Sequence, residues 1–218
     1  TRAEVSALEA GRQKAEREGT GARITAEACP HHLFLNTDAY ETWGNRVKMN
    51  PPLRQEEERA FMWEALGNGI VDMVATDHAP HLLDEKAKPF PHAPSGVPGI
   101  QTMLPLMLDA AHKGWCTPEQ VVEWLCHAPA RIYGVEGRGR LEVGYAADLV
   151  LVDPALERRI TDEEQHSRCG WSPYAGKSIT GWPVRTIVNG VEVFVREDNG
   201  PGVILTDEAV GQRITFEP

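Results

Sequence analysis

At 218 residues, with 41% hydrophobic and 25% charged side chains, the chain has the makeup of a soluble globular protein long enough to bury a sizeable core. A formal charge of −10 and a pI near 5.3 argue against a nucleic-acid partner or an anionic membrane surface, both of which need clustered Lys and Arg. No apolar run reaches the roughly 18 residues of a membrane span, and no charged-then-apolar leader opens the chain. Cys29, Cys116, Cys126 and Cys169 lie far apart without C-x-x-C spacing, which fits reduced thiols in a cytoplasm.

In chain order, "TRAEVSALEAGRQKAEREG" opens on a Thr cap and places Val5, Leu8 and Ala15 at helical spacing, so a helix is expected from the first turn. A helix cap with no strand before it suggests that the chain continues something upstream. Gly19-Thr20-Gly21 ends that helix, and "ARITAEAC" reads as a short buried strand before Pro30. "RQEEERAFMWEALGNG" predicts a helix with Phe61, Met62, Ala65 and Leu66 on one face, and "IVDMVATD" a second buried strand. Non-alternating strands separated by amphipathic helices predict a parallel sheet covered by helices. A Pro- and Gly-rich loop follows, "HAPHLLDEKAKPFPHAPSGVPG", too long for a simple connector and therefore of functional interest.

"IQTMLPLMLDAAHKG" and "TPEQVVEWLCHAPARIYG" predict two more helices. Beyond them the character changes. "GRLEVGYAADLVLVDP" and "WPVRTIVNGVEVFVRE" read as short strands around turns, with Asn189-Gly190 a hairpin signal. A domain boundary is expected near residue 136, dividing 1–136 from 137–218.

Three segments carry chemistry. In "ATDHAPH", Asp77 stands where an apolar strand ends, the place from which parallel-barrel strands present catalytic groups. A lone Asp there is more often a turn or cap residue, but two histidines within four positions and a stiffening proline favour a metal ligand or a general base. "CPHH", Cys29 to His32, looks metal-like, yet so short a run does not supply tetrahedral spacing by itself, and Cys29 reads as a buried strand residue. None of the three is assigned as a ligand. "KMNPPLR" offers the Asn50 amide and the Arg54 guanidinium, equally readable as a rigid loop whose arginine pairs with an acid.

"TAEACPHHL", "KMNPPLR" and "DMVATDHAPH", in this order and followed by "DEKAKPFPHAPSGVPG", resemble the C-terminal half of a class I dihydroorotase of the amidohydrolase superfamily. "GYAADLVLVD" and "SPYAGKSITGWPVRTIVNG" resemble the small β domain of that superfamily. The resemblance implies an α/β fold: the C-terminal portion of a (β/α)₈ TIM-type barrel, incomplete in this chain, plus a small β-sandwich domain. It implies zinc-dependent, reversible cyclisation of N-carbamoyl-L-aspartate to L-dihydroorotate in pyrimidine biosynthesis. By carry-over, Asp77 is both metal ligand and proton shuttle. Asn50, His81 and the backbone at Ser95 and Gly96 bind substrate, and His78 supports the metal ligand from behind.

The family's remaining zinc ligands, one or two ions' worth, are expected upstream of Thr1. The partners implied are therefore the small-molecule substrate, the missing N-terminal half of the enzyme, a second copy in a homo-oligomer, and aspartate transcarbamoylase. By itself the chain is expected to hold no stoichiometric zinc and to be inactive. Two alternatives stand beside this reading: a hydantoinase- or allantoinase-type cyclic amidohydrolase, and a noncatalytic dihydroorotase-like scaffold subunit.

Overall fold

The computed structural model describes residues 1–197, 200–206 and 208–216. The chain divides into two compact units, one formed by 1–100 with 167–169 and the other by 101–166 with 170–218.

The first unit begins with helix α1, Arg2–Arg17, closed at its start by a capping box in which the Thr1 hydroxyl accepts from the Glu4 amide and the Glu4 carboxylate accepts from the Thr1 ammonium. Val5, Leu8, Arg12 and Ala15 form its packed stripe, matching the expected spacing with one arginine added. Arg12 has a specific task. Its guanidinium donates to the carbonyls of Ile24 and Ile70 and to the Asp72 carboxylate at 2.6 Å, while Asp72 also accepts from the Ala26 amide at 2.8 Å. These bonds pin the entry ends of two strands to each other.

Those strands are β1, Glu27–Ala28, and β2, Met73–Val74, paired in parallel with Glu27 opposite Met73 and Ala28 opposite Val74. The parallel pairing agrees with the sequence reading, but both strands are shorter than expected. Residues 22–25 are exposed and stand outside the ladder, because among the described residues each strand has one neighbour only. Between them run α2, Pro30–Phe34, α3, Ala39–Trp43, and α4, Glu56–Gly67, whose Ala65 and Leu66 are buried as expected. The long loop after β2 contains a single helical turn, α5, Leu83–Lys86, where the sequence showed only irregular chain.

The second unit holds most of α6, Ile100–His112, then α7, Pro118–Val122, and α8, Ala128–Tyr133, joined by a π-helical turn at Glu123–His127. An antiparallel sheet follows in the order β3 (Leu149–Arg159), β4 (Ser178–Val188), β5 (Val191–Val195), β6 (Val203–Ile204). Asn189 and Gly190, at φ 48° and 82°, make the β4–β5 turn in the left-handed backbone that the Asn-Gly pair announces. Trp171, Tyr174, Ile160, Ile179 and Trp182 are buried here. The Asp109 carboxylate accepts from the Thr180 amide at 3.0 Å and from Lys113, tying α6 to β4. Among the described residues this region is one four-stranded sheet, not two facing sheets.

Candidate active site

Parallel pairing places the exits of β1 and β2 side by side, and the next residues carry the unusual side chains. The Ala75 amide donates to the Ala28 carbonyl at 3.0 Å, the last bond of the ladder. Cys29 then leaves one strand and Asp77 the other. Asp77 is exposed and has φ 45°, a left-handed conformation that costs a non-glycine residue roughly 1 kcal/mol and that Asp tolerates better than most. This turn redirects the chain so that His78 bridges in parallel to Val97 and the Ala79 amide donates to the Val97 carbonyl at 3.1 Å. His78 Nδ1 accepts from the Gly99 amide at 3.0 Å, so its ring proton is on Nε2. A fixed tautomer suits the supporting role expected of His78.

The predicted substrate-binding positions lie on three sequence-distant segments that the fold ties together. His81 Nε2 donates to the Ser95 carbonyl at 3.1 Å, and its Nδ1 lies 3.8 Å from the Glu85 carboxylate. Gly96 donates its amide to the Lys48 carbonyl at 3.0 Å, two residues before Asn50. Lys48 in turn donates its ammonium to the carbonyls of Pro91 and Ala93. Gly96 itself has φ 129°, and a Cβ there would lie 2.6 Å from both the carbonyl oxygen and the Cβ of Ala79. Only glycine allows the 94–97 segment to approach the Asp77–His81 turn so closely. Asn50 and Ser95 are exposed beside these contacts, and His81 is half-buried.

Sequence reasoning missed the residue at the centre of this arrangement. Lys86, 1% exposed, donates its ammonium to the carbonyls of Lys48 at 2.8 Å and of Pro94 and Gly96 at 2.9 Å. Burial, with Lys48 adding to it, brings its pKa down to about 8. A lysine within "LDEKAK" reads as one more solvated charge, and only the neighbouring Pro-rich loop hinted that its three donors have backbone to hold.

"CPHH" also differs from expectation. Cys29 is not a buried strand residue: it follows β1, is half-buried, and stands at the extended N-cap of α2, with Pro30 as the first helical residue. The chain's change from strand to helical turn gathers one ligating atom each from Cys29, His31 and His32 within 4.8 Å. His32 Nε2 donates to the Pro51 carbonyl at 3.0 Å. His31 is 2% exposed, and its Nε2 is buried with no hydrogen-bond partner, a state that ordinarily costs about 1–3 kcal/mol. Burial, with His32 adding to it, takes the His31 pKa down to about 3, while burial together with the Asp77 and Glu27 carboxylates pushes the Cys29 thiol up to about 12. Arg54 is exposed on the wall of a cleft of ≈ 170 Å³ that also touches Glu27, His32 and Pro51.

A zinc centre of the hydrolytic kind takes about three protein ligands and keeps one position open. Asp77 fits one of those places: its carboxylate is exposed at a strand exit, on a backbone turn held by His78 and the Val97 bridge.

Short parallel strands whose exits carry an acid and imidazoles match the layout from which hydrolases built on parallel barrels present their reactive groups. The chain belongs to the amidohydrolase family, whose model matches residues 22–193. It is 46% identical over 170 residues to the dihydroorotase of Halobacterium salinarum, covering 78% of this chain and 40% of that protein. Against the dihydroorotase of Methanosarcina mazei it is 40% identical over 185 residues, 84% of this chain and 40% of the other. Among solved structures, the L-hydantoinase (dihydropyrimidinase) of Arthrobacter aurescens superposes with a TM-score of 0.85 at 32% identity, over 97% of this chain and 46% of that one. The D-hydantoinase of Bacillus sp. AR9 gives 0.82 at 27% identity, over 98% and 47%. The chain thus spans about 40% of the length of the curated relatives it matches.

Proposed function

We propose that this chain is the C-terminal portion of a dihydroorotase, acting with an upstream segment to interconvert N-carbamoyl-L-aspartate and L-dihydroorotate. The observation that carries the reading is the 40–46% identity to proteins named dihydroorotase, held over 78–84% of this chain. In this reading residues 1–136 complete a (β/α)₈ barrel and 137–218 form the small β domain. A homo-oligomer and a complex with aspartate transcarbamoylase follow as proposals about the whole protein.

Asp77 would hold zinc through its carboxylate. The ion, when bound, supplies Lewis-acid polarisation of a carbonyl and an acidified water. Opening the ring adds water across the amide: a C–O bond forms, the ring C–N bond breaks, and the departing nitrogen needs a proton. Asp77 passes that proton, and closure runs the transfer in reverse. Asn50 offers an amide that donates and accepts, matching an imide edge. His81 is oriented by the Ser95 carbonyl and stands ready for the substrate carboxylate, and the backbone at Ser95 and Gly96 frames the ring.

A second reading rests on the TM-score of 0.85 to the L-hydantoinase: a cyclic amidohydrolase acting on hydantoins or dihydrouracil. The complete protein decides between them. Turnover of dihydroorotate at least about a hundredfold more efficient than that of hydantoin or dihydrouracil is expected, a gap that a matched carboxylate contact provides. The opposite preference would select the second reading, and no turnover of any of the three would leave a scaffold role.

A further inference from the structure

We propose that Cys29, His31 and His32 form a binding site for a soft divalent cation, of the zinc, cadmium or mercury type, with a ligand set that does not include Asp77. It does not depend on which cyclic amide the enzyme uses.

Three observations support it. The ligating atoms lie within 4.8 Å of one another. A tetrahedral centre with bonds of about 2.0–2.3 Å holds its ligands roughly 3.5 Å apart, a contraction that side-chain rotation can deliver. The two imidazoles already meet edge to face, with ring centroids 4.3 Å apart. His31 brings the second observation: a side chain 98% out of solvent, with Nε2 buried and unpartnered. Buried nitrogens almost always have a partner, and a cation here would give this one its own.

The third is the tautomer of His32. The Pro51 carbonyl only accepts, so the His32 proton is on Nε2 and the lone pair on Nδ1 is free to ligate. The Pro51 carbonyl thereby orients the ring from behind, as the outer partner of a metal-bound histidine does.

The donor set selects the occupant. One thiolate and two imidazoles favour soft or borderline ions and disfavour calcium and magnesium, which want oxygen. Cys29 and His32 are half-buried, which leaves an entry path, and Pro30 together with the turn of α2 stiffens the run. On binding, the sulfur–metal bond replaces the S–H bond and the proton leaves to solvent. A water completes the coordination.

Cobalt(II) added to the metal-free, full-length protein tests the site, because a thiolate ligand gives a near-ultraviolet charge-transfer band that carboxylate–imidazole centres lack. The band is expected in the wild type and in Asp77→Asn, absent in Cys29→Ser, and to need at least about tenfold more cobalt in His32→Ala. Circular dichroism checks that each variant folds. Should Cys29→Ser fail to fold, alkylation of the wild type settles the matter: cadmium is expected to slow iodoacetamide modification of Cys29 at least tenfold. No band in the wild type, a band that survives Cys29→Ser or vanishes in Asp77→Asn, or Cys29 alkylation indifferent to cadmium overturns the proposal.

Discussion

The ammonium of Lys86 lies 2.9 Å from the carbonyl oxygen of Gly96, and the same three-proton group also holds Lys48 and Pro94. One buried cation thus closes the loop that carries His81, Ser95 and Gly96 onto the segment that carries Asn50. Its cost is the desolvation of an ammonium, offset by three charge-assisted bonds to backbone.

Lys86→Met keeps the aliphatic stem and removes the donors. The carbonyls of Pro94 and Gly96 then lose the ammonium, while that of Lys48 keeps the Gly96 amide, and a loss of about 3 kcal/mol in urea unfolding is expected. A change below about 0.5 kcal/mol would mean that water replaces the ammonium without penalty.

Gly96→Ala places a methyl 2.6 Å from the Ala79 carbonyl, on a backbone at φ 129°. The segment has to retreat from the Asp77–His81 turn. In the complete enzyme KM for dihydroorotate should rise about tenfold or more, with kcat less affected. Unchanged kinetics would detach Gly96 from the substrate site.

The His31 pKa, lowered from 6.5 to about 3, carries a pH consequence with a definite sign. Between those values the unfolded chain binds a proton that the folded chain refuses, so stability is full above pH 6.5 and falls with acidification. About 2 kcal/mol should be lost between pH 6.5 and 5 in chelator-treated protein. His32, shifted in the same direction by burial, adds to the slope. Urea titrations of wild type and His31→Gln check this, the variant losing visibly less. Equal losses in the two would place the acid sensitivity elsewhere.

Asp77→Asn in the complete enzyme should abolish turnover while the unfolding midpoint moves little, since the amide keeps the shape and the left-handed backbone but cannot carry the proton. Near wild-type kcat would remove Asp77 from the mechanism.

His81→Ala should weaken kcat/KM roughly ten- to a hundredfold by deleting a partner of a charged substrate group, with zinc content of the purified enzyme unchanged. Loss of zinc instead would make His81 a ligand.

What the sequence alone determined was local. Thr1 announces the cap of α1, the spacing of Phe61, Met62, Ala65 and Leu66 marks the packed face of α4, and Asn189-Gly190 specifies a hairpin turn. Each rests on interactions within a few residues, or on a period that the chain itself carries. The Asp77 motif was equally legible, because an acid at the end of an apolar segment needs no distant partner to be noticed. The tertiary structure decided what depends on residues far apart. Whether Lys86 is solvated or buried is set by carbonyls 8, 10 and 38 positions away. Whether Cys29, His31 and His32 diverge or converge depends on the turn from β1 into α2, and β1 itself exists by pairing with β2, more than forty residues on. A lysine's donors and a cysteine's direction are not periodic properties, so no pattern in the sequence reports them; only the packed chain does.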